Sequence, residues 1–332
     1  MNSVKSKPCV LGVVGATCTG KSRIGIALAQ ELNGEIVSMD SMQIYRGMDI
    51  GTAKLSQAER SGIPHHLIDI VDITTPYSVA NYKEQAMDVI GNILARNHVP
   101  ILVGGTGLYL DALLNNMAFK ETECDERYRN ELRSIASEAD GDRKLFAILE
   151  KLDPQWAARL HHHDIRRVIR ALEVLRHKEM QVPLQERDDT TEYHFLLYGL
   201  TLPRPALYEQ IDNRVDKMIE CGLYDEVKAL MKYAKPEDWA GASQAIGYKE
   251  MIDAIQGSTT YEEAIRLMKR NTRRYAKRQI TWFKKYANIV WYAVDDYQTP
   301  EMIEKAILSR AKEDLNKALA ISAFSEMEGE SV

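Results

Sequence analysis

Residues 10–22, VLGVVGATCTGKS, constrain the fold more than any other stretch of the chain. Val10 to Val14 is an unbroken apolar run that reads as a buried strand. It ends at Gly15, and helical spacing begins at Lys21. Gly15, Ala16, Thr17, Cys18, Thr19, Gly20, Lys21 and Ser22 follow the Gly, four residues, Gly-Lys-Ser pattern of a phosphate-binding loop. The residue types have geometric reasons. Glycines let successive backbone N–H groups point into one concavity, a helix N-terminus adds positive potential, and Lys21 supplies a point charge. Ser22 can offer its hydroxyl to magnesium. Such a loop specifies a phosphate or diphosphate site without saying whose; taken alone, its nucleotide-binding pattern invites ATP.

At 332 residues the chain is long enough for one elaborated domain, or for a core plus a smaller one. A net charge of −5 argues against indiscriminate binding of polyanions. Cys9, Cys18, Cys124 and Cys221 show neither CxxC spacing nor metal-type pairing, which fits a reducing, cytoplasmic setting. Lys5 and Lys7 precede a short apolar run as in a signal peptide, but cleavage there would destroy the loop, so the run is read as the first strand. No stretch reaches transmembrane length.

Strand, glycine turn and helix recur along the first third of the chain. A helix is expected over 22–33, strands over 35–39 and 65–72, a helix over 79–97, and a strand over 99–103 followed by Gly-Gly-Thr-Gly and another helix. That alternation predicts an α/β fold: a phosphate-loop core with a mainly parallel sheet flanked by helices, and ligands at the carboxyl ends of the strands. From about residue 125 the texture becomes polar and helical, with strand character returning at 194–202 and 289–294. The expected organisation is a core over 1–120 and 191–320 with basic C-terminal helices, a helical insertion over 121–190, and a disordered tail over 321–332.

Four constellations could carry chemistry. Asp40 closes the second strand and opens DSMQIYRGMDIGTAK; a carboxylate there can take a proton from a nucleophile or can cap the segment that follows. Thr106 in GGTGLY can face the same crevice, cap the next helix, or both. His161, His162 and His163 resemble a metal cluster, but adjacent side chains point in different directions, and a solvated turn is the better expectation. After them Arg166, Arg167 and Arg170 share a helical face, with Val168 and Leu172 turned inward. Finally, Lys269, Arg270, Arg273, Arg274, Lys277 and Arg278 recur every four residues, and no acidic residue occurs from 269 to 285. Such a stripe suits a phosphate backbone better than an ordinary solvated face, which would interleave carboxylates.

With these pieces in place, the chain resembles the tRNA dimethylallyltransferases, or tRNA isopentenyltransferases. The resemblance runs from about Val10 to Tyr292 through GATCTGKS, DSMQIYRGMDIGTAK, GGTGLY, RRVIRALEV, GLYDEV, QAIGYKE and TRRYAKRQITWFKK, in that order. It implies transfer of a dimethylallyl group from dimethylallyl diphosphate to the exocyclic amine of the adenosine 3′ of the anticodon, giving isopentenyladenosine, with Mg2+ as cofactor. It further implies that the loop, with Lys21, holds the donor's diphosphate, that Ser22 serves the metal, and that Asp40 is the general base. Thr106 and Arg214 match diphosphate-side contacts, and Arg129 matches a position at the tRNA–donor interface. Contacts to tRNA are implied for Asp40, Ser41, Met42 and Gln43; for Arg166, Arg167, Val168, Ile169 and Arg170; and for Gln244, Ala245, Ile246, Gly247, Tyr248 and Lys249. The stripe, with Arg273 and Arg274, would add to them, and the enzyme is expected to be a monomer acting on the anticodon arm.

Two departures stand out. Family loops often read Gly-Pro-Thr-Ala where this chain has Gly-Ala-Thr-Cys, which places a thiol, Cys18, at a helix N-terminus. Arg166 stands where some relatives have Gln. The zinc finger of eukaryotic members has no counterpart in the sequence, which points to a bacterial type. The rival enzymes are an adenylate prenyltransferase and a small-molecule kinase using ATP. A third alternative is an RNA-binding protein with a regulatory phosphate loop.

Overall fold

The computed structural model describes residues 7–116, 126–176 and 191–329. The chain divides into two units, 1–116 with 189–332 and 117–188. In the first unit the order is β1 (Cys9–Gly15), α1 (Lys21–Glu31), β2 (Gly34–Met39), β3 (His65–His66), α2 (Val79–Ala95), β4 (Val99–Gly104) and α3 (Gly107–Leu114). The second unit holds α4 (Glu126–Ala136), α5 (Gly141–Leu152), α6 (Pro154–Ala157) and α7 (Ile165–Arg176). The first then resumes with β5 (His194–Thr201), α8 (Arg204–Glu220), α9 (Leu223–Tyr233), α10 (Tyr248–Ile255), α11 (Tyr261–Phe283), β6 (Ile289–Ala293) and α12 (Pro300–Gly329).

The strands form one sheet in the order β3-β2-β4-β1-β5-β6, and every ladder is parallel, as the alternating pattern predicts. β1 lies inside it, and its residues Val10, Leu11, Val13 and Val14 are fully buried. A strand covered on both faces has to be apolar at successive positions, which is why this one reads as a continuous run. On one face Leu11 and Val13 pack with Ile24 and Leu28 of α1 and Ile303 and Ile307 of α12. On the other, Val10 and Val14 meet Tyr82 and Ile90 of α2 and Leu110 and Leu113 of α3. Each fully buried side chain of this kind contributes ~1.5–3 kcal/mol relative to exposure. The register brings the carboxyl ends together: Val14 of β1 and Met39 of β2 both pair with Gly104 of β4. The turns after these three strands therefore converge on one edge of the sheet.

A further cluster packs the segment after β2 against α9, α10 and α11, through Ile44, Tyr45, Met48, Val227, Tyr248, Met251 and Met268. The second unit has its own core, built from Leu132, Leu145, Leu149, Val168 and Leu172. In it, Asp153 caps α6 by accepting from Trp156 N at 2.8 Å, with Pro154 in the first turn.

The structure corrects one expectation. The strand predicted over 65–72 stops at His66, because Leu67 and Asp69 take left-handed φ values of 60° and 57° that no strand accommodates. Only a single bridge, Tyr45 to Val71, follows. α12 is the last element and runs to Gly329. Residues 330–332 lie outside the described residues. No helix among the described residues is long and apolar enough to cross a membrane.

Candidate functional site

The turn between β1 and α1 folds around the carbonyl of Ala16. That oxygen accepts from Thr19 Oγ1 at 2.9 Å and from Lys21 Nζ at 2.5 Å. Left-handed backbone at Cys18 and Gly20, with φ of 64° and 90°, wraps the loop over it. Arg214 arrives from α8, its Nη1 lying 3.5 Å from Thr17 Oγ1 and 3.8 Å from the free thiol of Cys18. Desolvation, reinforced by the Arg214 charge and opposed by Cys18 and Asp40, holds the Lys21 ammonium down at about 8. Two cations beside a glycine loop, one of them destabilised by burial and by the other, form a site that an anion would relieve.

Asp40 uses its two oxygens differently. Oδ1 accepts from Met42 N at 2.8 Å and Gln43 N at 3.3 Å, closing the turn after β2. Oδ2 has no hydrogen-bond partner among the described residues, and Asp40 lines a cavity of about 710 Å³ together with Lys21, Ser22 and Arg214. The cap and the chemical role are thus compatible. Thr106 occupies the position before α3 but does not cap it, contrary to the plainer expectation. Its Oγ1 accepts from Ser41 N at 3.1 Å and its own N–H donates to Met39 O at 3.1 Å, tying the end of β4 to the segment that carries Asp40. Gln43 is fixed by Ser38 Oγ and by Thr52 O, each at 3.2 Å. The same cavity has an apolar side made by Ile211, Val215, Met218, Ile246 and Met268.

Sequence reasoning missed the residues that hold these loops. Gln279 of α11 is buried; its Oε1 accepts from Thr17 N at 2.9 Å and its Nε2 donates to Gly105 O at 3.0 Å. A Cβ on Gly105 would lie 2.1 Å from that amide nitrogen, which explains the glycine. Thr272, Tyr275 and Gln279 line the cavity at helical spacing, and that neutral face was the available signal. Burial and the nearby Asp40 charge push the Tyr275 phenol up to about 12, so it stays neutral. Glu226, from GLYDEV, accepts from Asp49 N, Ile50 N and Gly51 N at 3.0, 2.8 and 3.2 Å and from the Tyr248 hydroxyl at 2.6 Å. Here too a glycine is required, since a Cβ on Gly51 would meet the Tyr248 ring at 2.4 Å.

Replacing Gln279 by Leu leaves Gly105 O without its partner in a buried setting, at ~1–3 kcal/mol, and Thr17 N without its partner in a half-buried one, at a smaller cost. The expected result is a fall in melting temperature together with weaker binding of inorganic diphosphate to the loop, both measured by calorimetry. Unchanged values for both would contradict the bridging role.

The remaining predicted contacts divide into exposed and structural residues. In 244–249, Gln244 and Lys249 are exposed while Ala245, Gly247 and Tyr248 are buried. Gly247 N donates to Glu250 Oε2 at 2.7 Å, and Glu250 Oε1 accepts from Asn271 at 2.7 Å. In the second unit Arg166, Arg167 and Arg170 are exposed along α7, whereas Val168 and Ile169 belong to its core. Arg129 is tied to Glu173, its Nε 2.5 Å from Oε1. The basic stripe is not uniform either. Lys269 donates to Asp216 at 2.7 Å, and Arg273 grips both oxygens of Asp212 at 2.6 and 2.8 Å; these carboxylates come from α8, so the sequence of α11 gives no sign of them. Arg278 lines the cavity, while Arg274 and Lys277 are exposed with no ion pair among the described residues.

The histidine turn departs from expectation. One ring nitrogen from each of His161, His162 and His163 lies within 4.8 Å of those of the other two, so the rings converge rather than diverge.

The model of the IPP transferase family matches residues 43–286. The chain is similar to the tRNA dimethylallyltransferase of Pelotomaculum thermopropionicum, 45% identical over 310 residues that cover 92% of this chain and 98% of the relative. It is also similar to the solved tRNA isopentenylpyrophosphate transferase of Bacillus halodurans, with a TM-score of 0.72, 41% identity, and coverage of 96% of this chain and 99% of that one. A solved eukaryotic dimethylallyltransferase acting on tRNA matches with a TM-score of 0.72 and 32% identity, over 86% of this chain and 74% of its own.

Proposed function

The chain belongs to the IPP transferase family, among the bacterial tRNA dimethylallyltransferases, and from that premise we propose how its residues divide the work. It transfers a dimethylallyl group from dimethylallyl diphosphate to tRNA, producing isopentenyladenosine; the acceptor is the exocyclic amine of the adenosine 3′ of the anticodon. One observation carries the assignment of roles. A single cavity holds the loop cations, a carboxylate with an unused oxygen, and an apolar wall suited to a branched five-carbon chain.

The amine attacks the allylic carbon as the carbon–oxygen bond to diphosphate breaks. The amine is a poor nucleophile, because its lone pair is delocalised into the ring, so departure of the diphosphate has to lead. Lys21, Arg214 and the loop N–H groups offset the charge that builds on the leaving oxygens. Asp40 takes the amine proton through Oδ2 while Oδ1 keeps the turn closed. Thr106 acts on Asp40 through Ser41 and is a positioning residue.

Magnesium fits the donors present. The Ser22 hydroxyl makes no hydrogen bond among the described residues and shares the cavity with Asp40, and such oxygen donors, together with a substrate diphosphate, suit this hard cation. When bound, it supplies further compensation for the diphosphate charge.

To reach the cavity the adenine has to leave its stack. Gln43, Gln244 and Lys249 would touch the RNA near the site, and Arg274 and Lys277 would follow its backbone. Val168, Ile169 and Tyr248 support such contacts from the core rather than making them. Arg166, Arg167 and Arg170 would meet RNA from the second unit. We assign the enzyme to the cytoplasm, a reading supported by its tRNA substrate and by the free thiols of Cys9, Cys18 and Cys221, which suit a reducing setting. Nuclease digestion of the tRNA product, followed by mass spectrometry, should find the five-carbon addition on the adenosine 3′ of the anticodon. Its appearance on another nucleoside would overturn the acceptor assignment.

A further inference from the structure

The second unit carries a cluster that prenyl transfer does not use. His161, His162 and His163 sit in the turn between α6 and α7, with ring centroids 4.4 Å apart for His161 and His162, 3.9 Å for His162 and His163, and 5.1 Å for His161 and His163. Three imidazoles seldom crowd together on an accessible turn without something to organise them. Part of the reason here is Asp142, in the first turn of α5. Its Oδ2 accepts from His162 Nδ1 at 2.9 Å and from His163 Nδ1 at 2.6 Å, and its Oδ1 is held by Arg143 N at 2.8 Å.

The tautomer follows from the geometry. A neutral ring that donates through Nδ1 carries its lone pair on Nε2, and a carboxylate behind the ring fixes its orientation. His162 and His163 are therefore arranged as metal-binding histidines are, each backed by the same acceptor. His161 is held less firmly: its Nδ1 accepts only a 3.3 Å contact from His163 N, which a better partner would displace.

We propose that His161, His162 and His163, oriented by Asp142, bind a divalent transition-metal cation of the zinc class. Nitrogen donors exclude magnesium and calcium as the natural occupants and favour zinc, with cobalt and nickel as substitutes. Zinc–nitrogen bonds of ~2.0–2.1 Å in a tetrahedral site put the donors ~3.4 Å apart. One ring nitrogen from each of the three, Nδ1 or Nε2, already lies within 4.8 Å of the others, and His163, with 71% of its side chain exposed, has room to turn its Nε2 towards a shared ion. The fourth position falls to water. The ion would fasten the turn that starts α7 to the first turn of α5. It would thereby hold the helix bearing Arg166, Arg167 and Arg170 within its own unit, as a structural clamp separate from the magnesium chemistry.

The test uses the full chain without a histidine tag, stripped of metal with a chelator and titrated calorimetrically with zinc chloride. One zinc ion should bind per chain, unaffected by excess magnesium, and cobalt should give the visible absorption of a tetrahedral site. Asp142→Asn should weaken zinc by ~10–100-fold, as the loss of an orienting carboxylate does elsewhere. His162→Ala combined with His163→Ala should abolish stoichiometric binding, and zinc should raise the melting temperature of the wild type but not of this variant. His163→Ala alone, at the most exposed ring, provides a weakened form that folds even if the double variant does not. Equal zinc affinity in the wild type and His163→Ala, or in the wild type and Asp142→Asn, would overturn the proposal, as would the absence of binding to the wild type.

Discussion

Asp40→Asn should slow prenyl transfer under single-turnover conditions by ~10²–10⁴-fold, the usual worth of a positioned general base. The choice of asparagine matters. Its side-chain oxygen can still accept from Met42 N and Gln43 N, so the turn after β2 survives, and what is lost is the basic oxygen facing the cavity. Binding of tRNA and the melting temperature should therefore stay close to wild type. Asp40→Ala would confuse the two effects, since losing a cap of this kind costs ~1 kcal/mol by itself. An Asp40→Asn enzyme that keeps wild-type turnover would leave Asp40 with only its structural role and remove the proposed base.

Lys21→Ala should cost ~10²–10³-fold in turnover, comparable to losing one donor that stabilises developing negative charge. The pH dependence gives a sharper signature. Lys21 is cationic below about 8 and neutral above it, and only the cation attracts a diphosphate. The value of kcat/KM for dimethylallyl diphosphate should therefore fall as pH rises through about 8. Bound diphosphate favours the charged form, so the corresponding fall in kcat should come at higher pH. Lys21→Arg should lose the descending limb altogether, because a guanidinium stays charged throughout this range. A kcat/KM that stays level or rises through pH 8 in the wild type would mean that Lys21 does not meet the donor as a cation.

The sequence makes the central strand, its loop and α1 legible for a physical reason: a strand buried on both faces has to be apolar throughout, and a phosphate loop has to carry its glycines and lysine at fixed spacing. Asp40 is legible as a candidate but not in its role, since a sequence cannot assign one oxygen to a turn and the other to a cavity. β3 was overdrawn because nothing in the composition of 65–72 reveals left-handed backbone at Leu67 and Asp69. The basic stripe lost its uniformity for a different reason. Its spacing is local, but Asp212 and Asp216, which neutralise Arg273 and Lys269, lie more than fifty residues away in sequence and meet them only through packing. Gln279 was hidden in the same way. The neutral face of Thr272, Tyr275 and Gln279 marks a side of the helix, but the partners of Gln279 emerge only where the helix passes beside both Thr17 and Gly105.

The other assignments rest on the proposal that the loop cradles the leaving group of a prenyl donor rather than a phosphoryl donor. Its most direct test is a transfer assay with isotopically labelled dimethylallyl diphosphate and magnesium, offering unmodified tRNA, AMP or no acceptor, with a parallel set containing γ-labelled ATP. Prenyl label is expected in tRNA alone, with diphosphate released in equal amount and no label passing from ATP to any acceptor. Prenyl label in AMP but not in tRNA, or label transferred from ATP, would contradict it.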